Sequence, residues 1–327
     1  ETPSLGPIWV IFYAMLAFTA VLTGCAAARS GRRRGRGNEV VDLGEPGHVP
    51  LIVQGDKVPA AAIAVFENVG CRLGGMSILA HVTGRASTAD GGVYAIMGPS
   101  GAGKTTLLDV LAGRKASKDC AGALVVDGVH YRTMASRRNA FGYVLQDDST
   151  LPPFLTVREA IEFSASLRLP PGTPSRRREE IVDRVVRQLG LEKVAESRIG
   201  EVGASGISGG ERRRVSIGME LVVGPKVLLL DEPTSGLDAA AALKVVEILT
   251  GLVRGGECLV IATIHQPRPD AFSSFGRVLL LSDGAAAYEG PPLGVAEALG
   301  AVGRACPAHV NLADFALDNV GALHAVP

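Results

Sequence analysis

The chain has 327 residues, and Lys plus Arg and Asp plus Glu both total 33, so its formal net charge is zero. That balance argues against nucleic acid as a partner, which would call for a basic excess or a basic face. Five scattered cysteines (Cys25, Cys71, Cys120, Cys258 and Cys306) show no C-x-x-C spacing, so neither a zinc site nor a disulfide framework is expected, and a reducing compartment is the default.

The first residue is Glu1 rather than Met, which points to a fragment or a processed product. Residues 1–7 read as an extracytoplasmic stub. From Ile8 to Ala28 no residue is charged. At about 1.5 Å per residue this run reaches ~30 Å, the thickness of a bilayer core. Trp9 and Tyr13 lie toward one end, and Arg29, Arg32, Arg33, Arg34 and Arg36 follow the other. One transmembrane helix is therefore predicted over 8–28, with the arginine side in the cytoplasm. A buried core helix would show a polar face, which this run lacks. Leu22 to Cys25, "LTGC", looks like a lipoprotein cleavage box, but such signals carry their charges before a shorter apolar run. Residues 29–60 mix Arg, Gly and Pro and read as a basic, flexible linker.

Beyond residue 60, short apolar runs alternate with helical patterns. The runs Val93–Gly98, Phe141–Gln146, Lys226–Asp231, Cys258–His265 and Arg277–Ser282 are predicted strands buried on both faces. That pattern indicates a parallel sheet covered by helices. The first strand leads into "GPSGAGKTT", Gly98 to Thr106, and then into a helical pattern. Strand, glycine-rich loop and helix in this order form a phosphate cradle. Gly98, Gly101 and Gly103 let backbone N–H groups approach phosphate oxygens, with Pro99, Ser100, Ala102 and Thr106 completing the loop. Lys104 is expected to reach the β- and γ-phosphates of a nucleotide and Thr105 to hold Mg²⁺.

From Thr156 to about Gly206 the strand pattern gives way to two amphipathic helices. Ile181, Val182, Val185, Val186 and Leu189 fall on one stripe of the second. Next, "ISGGERRR" places Ser208, Gly209 and Gly210 before a helix, a second site suited to an anion. "LLLDE" then ends a buried strand with Asp231, a candidate for the Mg²⁺ shell through water, and Glu232, a candidate base for the attacking water. Acidic groups at that end of a strand face the ligand crevice of an open α/β sheet.

"SGGE" upstream of "LLLDEPTSGLD" resembles the signature of ATP-binding cassette proteins. The finer resemblance is to the G subfamily, the White type, carried by "LLDVLAGRK", "LTVREAIEFSASLRLP", "ISGGERRRVSIG", "DEPTSGLD", "HQPR" and "NLADFALD", from about residue 62 to about 318. The resemblance implies an α/β P-loop NTPase over residues 61–327, with a mostly parallel core, an antiparallel β subdomain and an α-helical subdomain. It implies that ATP and Mg²⁺ are bound, and that Ser208, Gly209 and Gly210 of one subunit cover the γ-phosphate held by the other. Gln146 is matched to the glutamine that senses Mg²⁺ and attacking water, and His265 to the histidine that contacts the γ-phosphate. Ser235 to Asp238, "SGLD", match the loop that touches the partner, with Asp238 near the nucleotide.

Two departures stand out. Leu312 replaces a proline of the closing motif, and Leu73 stands where many members stack adenine on an aromatic ring. The expected function is the ATP-hydrolysing motor of a membrane half-transporter that moves a lipid, sterol or other hydrophobic substrate. Its expected partners are a second nucleotide-binding domain, a transmembrane pore domain following residue 327, and the membrane. Two rivals are a soluble cassette ATPase of ribosomes or repair, and a membrane-anchored regulator that binds ATP without turnover. The first would show two cassettes or long coiled coils, and the second a degenerate Glu232, His265 or signature; the sequence shows neither.

Overall fold

The computed structural model describes residues 61–115, 119–131, 140–148, 150–201 and 206–323. The apolar run 8–28 and the linker 29–60 lie outside them. All five expected strands form. They are β3 (Tyr94–Met97), β6 (Phe141–Val144), β7 (Val227–Leu230), β8 (Leu259–Thr263) and β9 (Arg277–Ser282). They pair in parallel in the order β9-β3-β8-β7-β6. β10 (Ala285–Gly290) folds back antiparallel on β9. Asp283 and Gly284 make that turn with φ of 49° and 76°, as a two-residue hairpin requires.

The uninterrupted apolar runs follow from burial on both faces. Ala95, Met97, Leu228, Leu230, Val278 and Leu280 enter one core. Their neighbours Tyr94, Ile96, Val227, Leu229, Leu279 and Leu281 enter another. On the first face lie α5 (Ala239–Arg254), α6 (Pro269–Ser274), α7 (Gly294–Ala301) and α8 (Leu312–Leu323). Leu312 is the first residue of α8, and Asn311 Oδ1 accepts from Ala313 N–H at 3.1 Å. The first turn needs no intrahelical donor, so proline and leucine are both accommodated there.

The second face holds the antiparallel β layer that the resemblance implies, where the apolar runs alone suggest only covering helices. Among the described residues it carries one helix, α1 (Lys104–Leu111), and a four-stranded antiparallel sheet in the order β2-β1-β4-β5. Those strands are β1 (Ile63–Leu73), β2 (Met76–Ser87), β4 (Cys120–Val126) and β5 (Val129–His130). Phe66 of β1 meets Tyr94 of β3 edge to face at 6.0 Å, joining the two sheets. Gly84 of β2 makes that approach possible: a Cβ there would lie 2.3 Å from the Tyr94 hydroxyl and 2.4 Å from Phe66 Cζ.

The helical insert lies between β6 and β7 as α2 (Val157–Arg168) and α3 (Ser175–Gln188), packed on α4 (Gly209–Leu221). Ile181, Val182, Val185, Val186 and Leu189 are all buried, as the stripe predicts. Thr156 caps α2: its hydroxyl accepts from Glu159 N–H at 3.2 Å, and the Glu159 carboxylate accepts from Thr156 N–H at 2.8 Å. The edge strand β6 is tied to this unit through Glu220 of α4, which accepts from Tyr143 N–H at 3.1 Å and pairs with Arg168 at 2.8 Å. A carboxylate on an edge strand's free N–H blunts that edge against further pairing. No helix among the described residues is long and apolar enough to cross a membrane.

Candidate functional site

The glycine-rich loop follows β3 and opens α1, at the carboxyl ends of the parallel strands. Gly98 is required sterically, since a Cβ would sit 2.3 Å from Leu281 O on the neighbouring strand. The loop turns through Gly101 and Gly103 with φ of 82° and 97°. Lys104 is buried, and its ammonium donates to Gly98 O at 2.9 Å and Pro99 O at 3.0 Å. Burial lowers its pKa from the usual lysine value, while the Glu232 and Asp231 carboxylates raise it. The ammonium therefore folds over the loop's own carbonyls, within the electrostatic reach of both acids.

The acids sit where β7 ends. Thr105 Oγ1 donates to Asp231 Oδ1 at 3.1 Å, and Thr263 Oγ1 donates to the same oxygen at 2.6 Å. Thr263 also accepts from Glu232 N–H at 2.8 Å. Gln146, just past β6, donates from Nε2 to Glu232 Oε2 at 2.8 Å. Glu232 holds φ at 44°, the left-handed region, which costs an L-residue about 1–2 kcal/mol. Thus Thr105, Asp231, Glu232 and Gln146 form one hydrogen-bonded group, linked through Thr263. His265 lines a cavity of about 350 Å³ with Glu232, Thr234, Ser235 and Gln266.

The remaining candidates are placed apart from this group. Ser208 caps α4: its hydroxyl donates to Glu211 Oε2 at 2.7 Å and accepts from Glu211 N–H at 3.3 Å. Ser208 and Gly209 are exposed, so this helix start faces outward. Asp238 caps α5, accepting from Ala240 N–H at 3.0 Å and Ala241 N–H at 2.9 Å, and its Oδ1 is engaged within its own chain. Leu73 ends β1 at the tip of the β1–β2 hairpin, 37% exposed, with Met76 opposite it 69% exposed. The hairpin tip thus presents an apolar pair rather than an aromatic ring.

Two residues outside the sequence reading complete the arrangement. One is Thr263. The other is Arg213, 3% exposed, which donates to Leu145 O at 2.6 Å and to Gln146 O, and pairs with Asp148 at 3.3 Å. It ties the helix that Ser208 opens to the loop that carries Gln146. The burial of Arg212 and Arg213 within "ERRR" leaves no trace in sequence, because all three arginines look like one solvated run.

The donor set suits a nucleotide with magnesium. Thr105, Asp231 and Gln146 offer oxygen ligands, which hard Mg²⁺ prefers. No group of three or more His, Cys, Asp or Glu among the described residues could hold a metal. A magnesium ion here would take most of its remaining ligands from phosphate oxygens and water, its common mode at phosphate sites.

A phosphate cradle and an acid pair at the carboxyl ends of the parallel strands of a mixed sheet, with a helical insert, define an ABC-type ATPase domain. Comparison with known sequences gives the same result. The sequence profile of the ABC transporter family matches residues 85–235. The chain is 40% identical to ABC transporter G family member 18 of Arabidopsis thaliana over 242 residues, 74% of this chain and 34% of that protein. It is 42% identical to the broad substrate specificity ATP-binding cassette transporter ABCG2 of Mus musculus over 231 residues, 69% of this chain and 34% of that protein. With ABC transporter G family member 22 of Dictyostelium discoideum it shares 41% over 255 residues, 75% of this chain and 40% of that protein. This domain belongs to the ABC transporter family and is related to its G members. The chain spans about a third of the length of the first two relatives.

Proposed function

We propose that the chain is the ATP-binding and hydrolysing motor of a membrane half-transporter. The observation that carries this reading is the single hydrogen-bonded group of Thr105, Asp231, Glu232 and Gln146 beside the phosphate loop. In this reading Gly98 to Thr106 hold the phosphates of ATP through backbone N–H groups, the Lys104 ammonium and the start of α1. Thr105, Asp231 and Gln146 take the metal side. Magnesium held by these residues would offset the charge that builds on the phosphate oxygens. Glu232 accepts a proton from the attacking water, and Gln146 holds that carboxylate in place. His265 contacts the γ-phosphate from the mouth of the cavity. Leu73 gives the adenine an apolar rest.

Two copies arranged head to tail complete two sites, with Ser208, Gly209 and Gly210 of one copy over the nucleotide of the other. The exposure of Ser208 and Gly209 supports a role toward a partner. Asp238 ends the loop, Ser235 to Asp238, that meets that partner. The domain boundaries proposed are a stub at 1–7, a membrane span at 8–28, a linker at 29–60 and the motor at 61–327, the motor being cytoplasmic. The proposal includes a pore domain as partner and a lipid, sterol or other hydrophobic compound as the transported substrate. The test is Glu232→Gln. This variant should bind MgATP as the parent does and lose phosphate release by about 10²–10⁴-fold, the usual cost of removing a positioned base. Full turnover by Glu232→Gln would remove the role given to that carboxylate.

A further inference from the structure

We infer that Thr263 is a positioning residue of the hydrolytic site, its one hydroxyl setting the Asp231 carboxylate and the Glu232 backbone relative to each other. The inference rests on the roles proposed above for those two acids. Thr263 is the last residue of β8 and is fully buried. The β7–β8 ladder ends at Leu230 opposite Ala262. Beyond it the chain leaves the sheet, with φ of 44° at Glu232. The Glu232 N–H needs an acceptor there, and the Thr263 side chain supplies one at 2.8 Å.

The same hydroxyl spends its only hydrogen on Asp231 Oδ1 at 2.6 Å. A hydroxyl has one hydrogen to give, so its rotor is fixed once that hydrogen and one lone pair are engaged. Asp231 Oδ1 also receives the Thr105 hydroxyl at 3.1 Å, so two donors orient the carboxylate. Thr263 therefore reaches the metal side through Asp231 and the water side through Glu232. Loss of the hydroxyl frees the first carboxylate to rotate and leaves the second residue's N–H without its acceptor in a strained turn.

Two substitutions separate the hydroxyl from the side chain's shape. Thr263→Val keeps the shape and removes both bonds, whereas Thr263→Ser keeps the hydroxyl and loses the methyl. Both are measured in the full chain in detergent. The first readout is phosphate release at saturating ATP as free Mg²⁺ is varied. The second is affinity for a fluorescent ATP analogue with and without Mg²⁺. Thr263→Val is expected to lower kcat by about 10–100-fold, the usual loss when the partner of a metal-side ligand is removed. It should also raise the half-saturating Mg²⁺ severalfold and shrink the gain in analogue affinity that Mg²⁺ gives. Affinity without Mg²⁺ should stay at the parent value. Thr263→Ser should restore all three quantities to within about threefold of the parent, since it retains both hydrogen bonds.

A Thr263→Val chain that melts earlier but keeps the parent's kcat and Mg²⁺ response overturns the inference, as does a Ser variant as impaired as Val. If Thr263→Val does not fold, Thr263→Cys takes its place under the same criteria, its thiol being a weak donor and acceptor. A parent chain without ATP hydrolysis overturns the functional reading and the inference with it. An active parent, a dead Glu232→Gln and an unimpaired Thr263→Val overturn the inference alone.

Discussion

Lys104 and Ser208 each stand at the start of a helix, but their surroundings assign them different work. Lys104 is buried, with its ammonium over the loop carbonyls and within reach of both site acids. Ser208 is exposed, and its side chain is occupied only in capping its own helix. Lys104→Ala should therefore weaken nucleotide affinity by about 10–100-fold, the scale of lost hydrogen bonds from a charged donor. Ser208→Arg should leave affinity in the single chain nearly unchanged and abolish hydrolysis, because it obstructs the site of the other copy. Equilibrium binding of a labelled nucleotide, run beside phosphate release, separates the two. Equal loss of binding in both variants would argue against a site shared between two copies. At this scale sequence was an uneven guide. Lys104, Thr105 and Asp231 are legible because the groups that define them are local in the chain. Thr263 is not, because its partner Asp231 lies 32 positions away, and a threonine ending a strand is ordinary. Nor does the left-handed turn at Glu232 show, because glycine, its usual marker, is absent there.

Among elements, the parallel strands were readable because burial on both faces gives continuous apolar runs. The antiparallel sheet was harder to read from pattern. β1 and β2 slip register between Phe66 and Val69, between Val69 and Cys71, and between Cys71 and Arg72, and each slip breaks the two-residue alternation that marks a half-buried strand. The insert was legible down to its stripe, because α3 exposes one face and buries the other. The element proposed over residues 8–28 has a test of its own. Five arginines follow it, and each contributes about 1 kcal/mol near an anionic cytoplasmic leaflet. Protease added outside sealed, right-side-out cells should spare everything beyond residue 60 and reach only what precedes residue 8. Cleavage inside the motor domain under those conditions would reverse the orientation, and quantitative release by high salt would remove the span.

Across the whole molecule, the central sheet is shared. Alternate residues of β3, β7 and β9 belong to opposite cores, and Gly84 lets the second sheet close on the first at Tyr94. Neither side can open while the other stays dry, because lifting one strand uncovers both. In the language of native-state hydrogen exchange, the two layers form a single foldon rather than two. Scanning calorimetry of the chain should therefore give one transition for the described domain, with equal calorimetric and van't Hoff enthalpies. Amides of β3, β7 and β8 should all exchange at the rate of global unfolding. Two resolved transitions would show that the layers melt independently. Since the phosphate loop grows out of β3, a nucleotide bound there braces the same cooperative unit. It should raise the melting temperature of the whole domain by mass action and protect amides in both layers, including those of the antiparallel sheet.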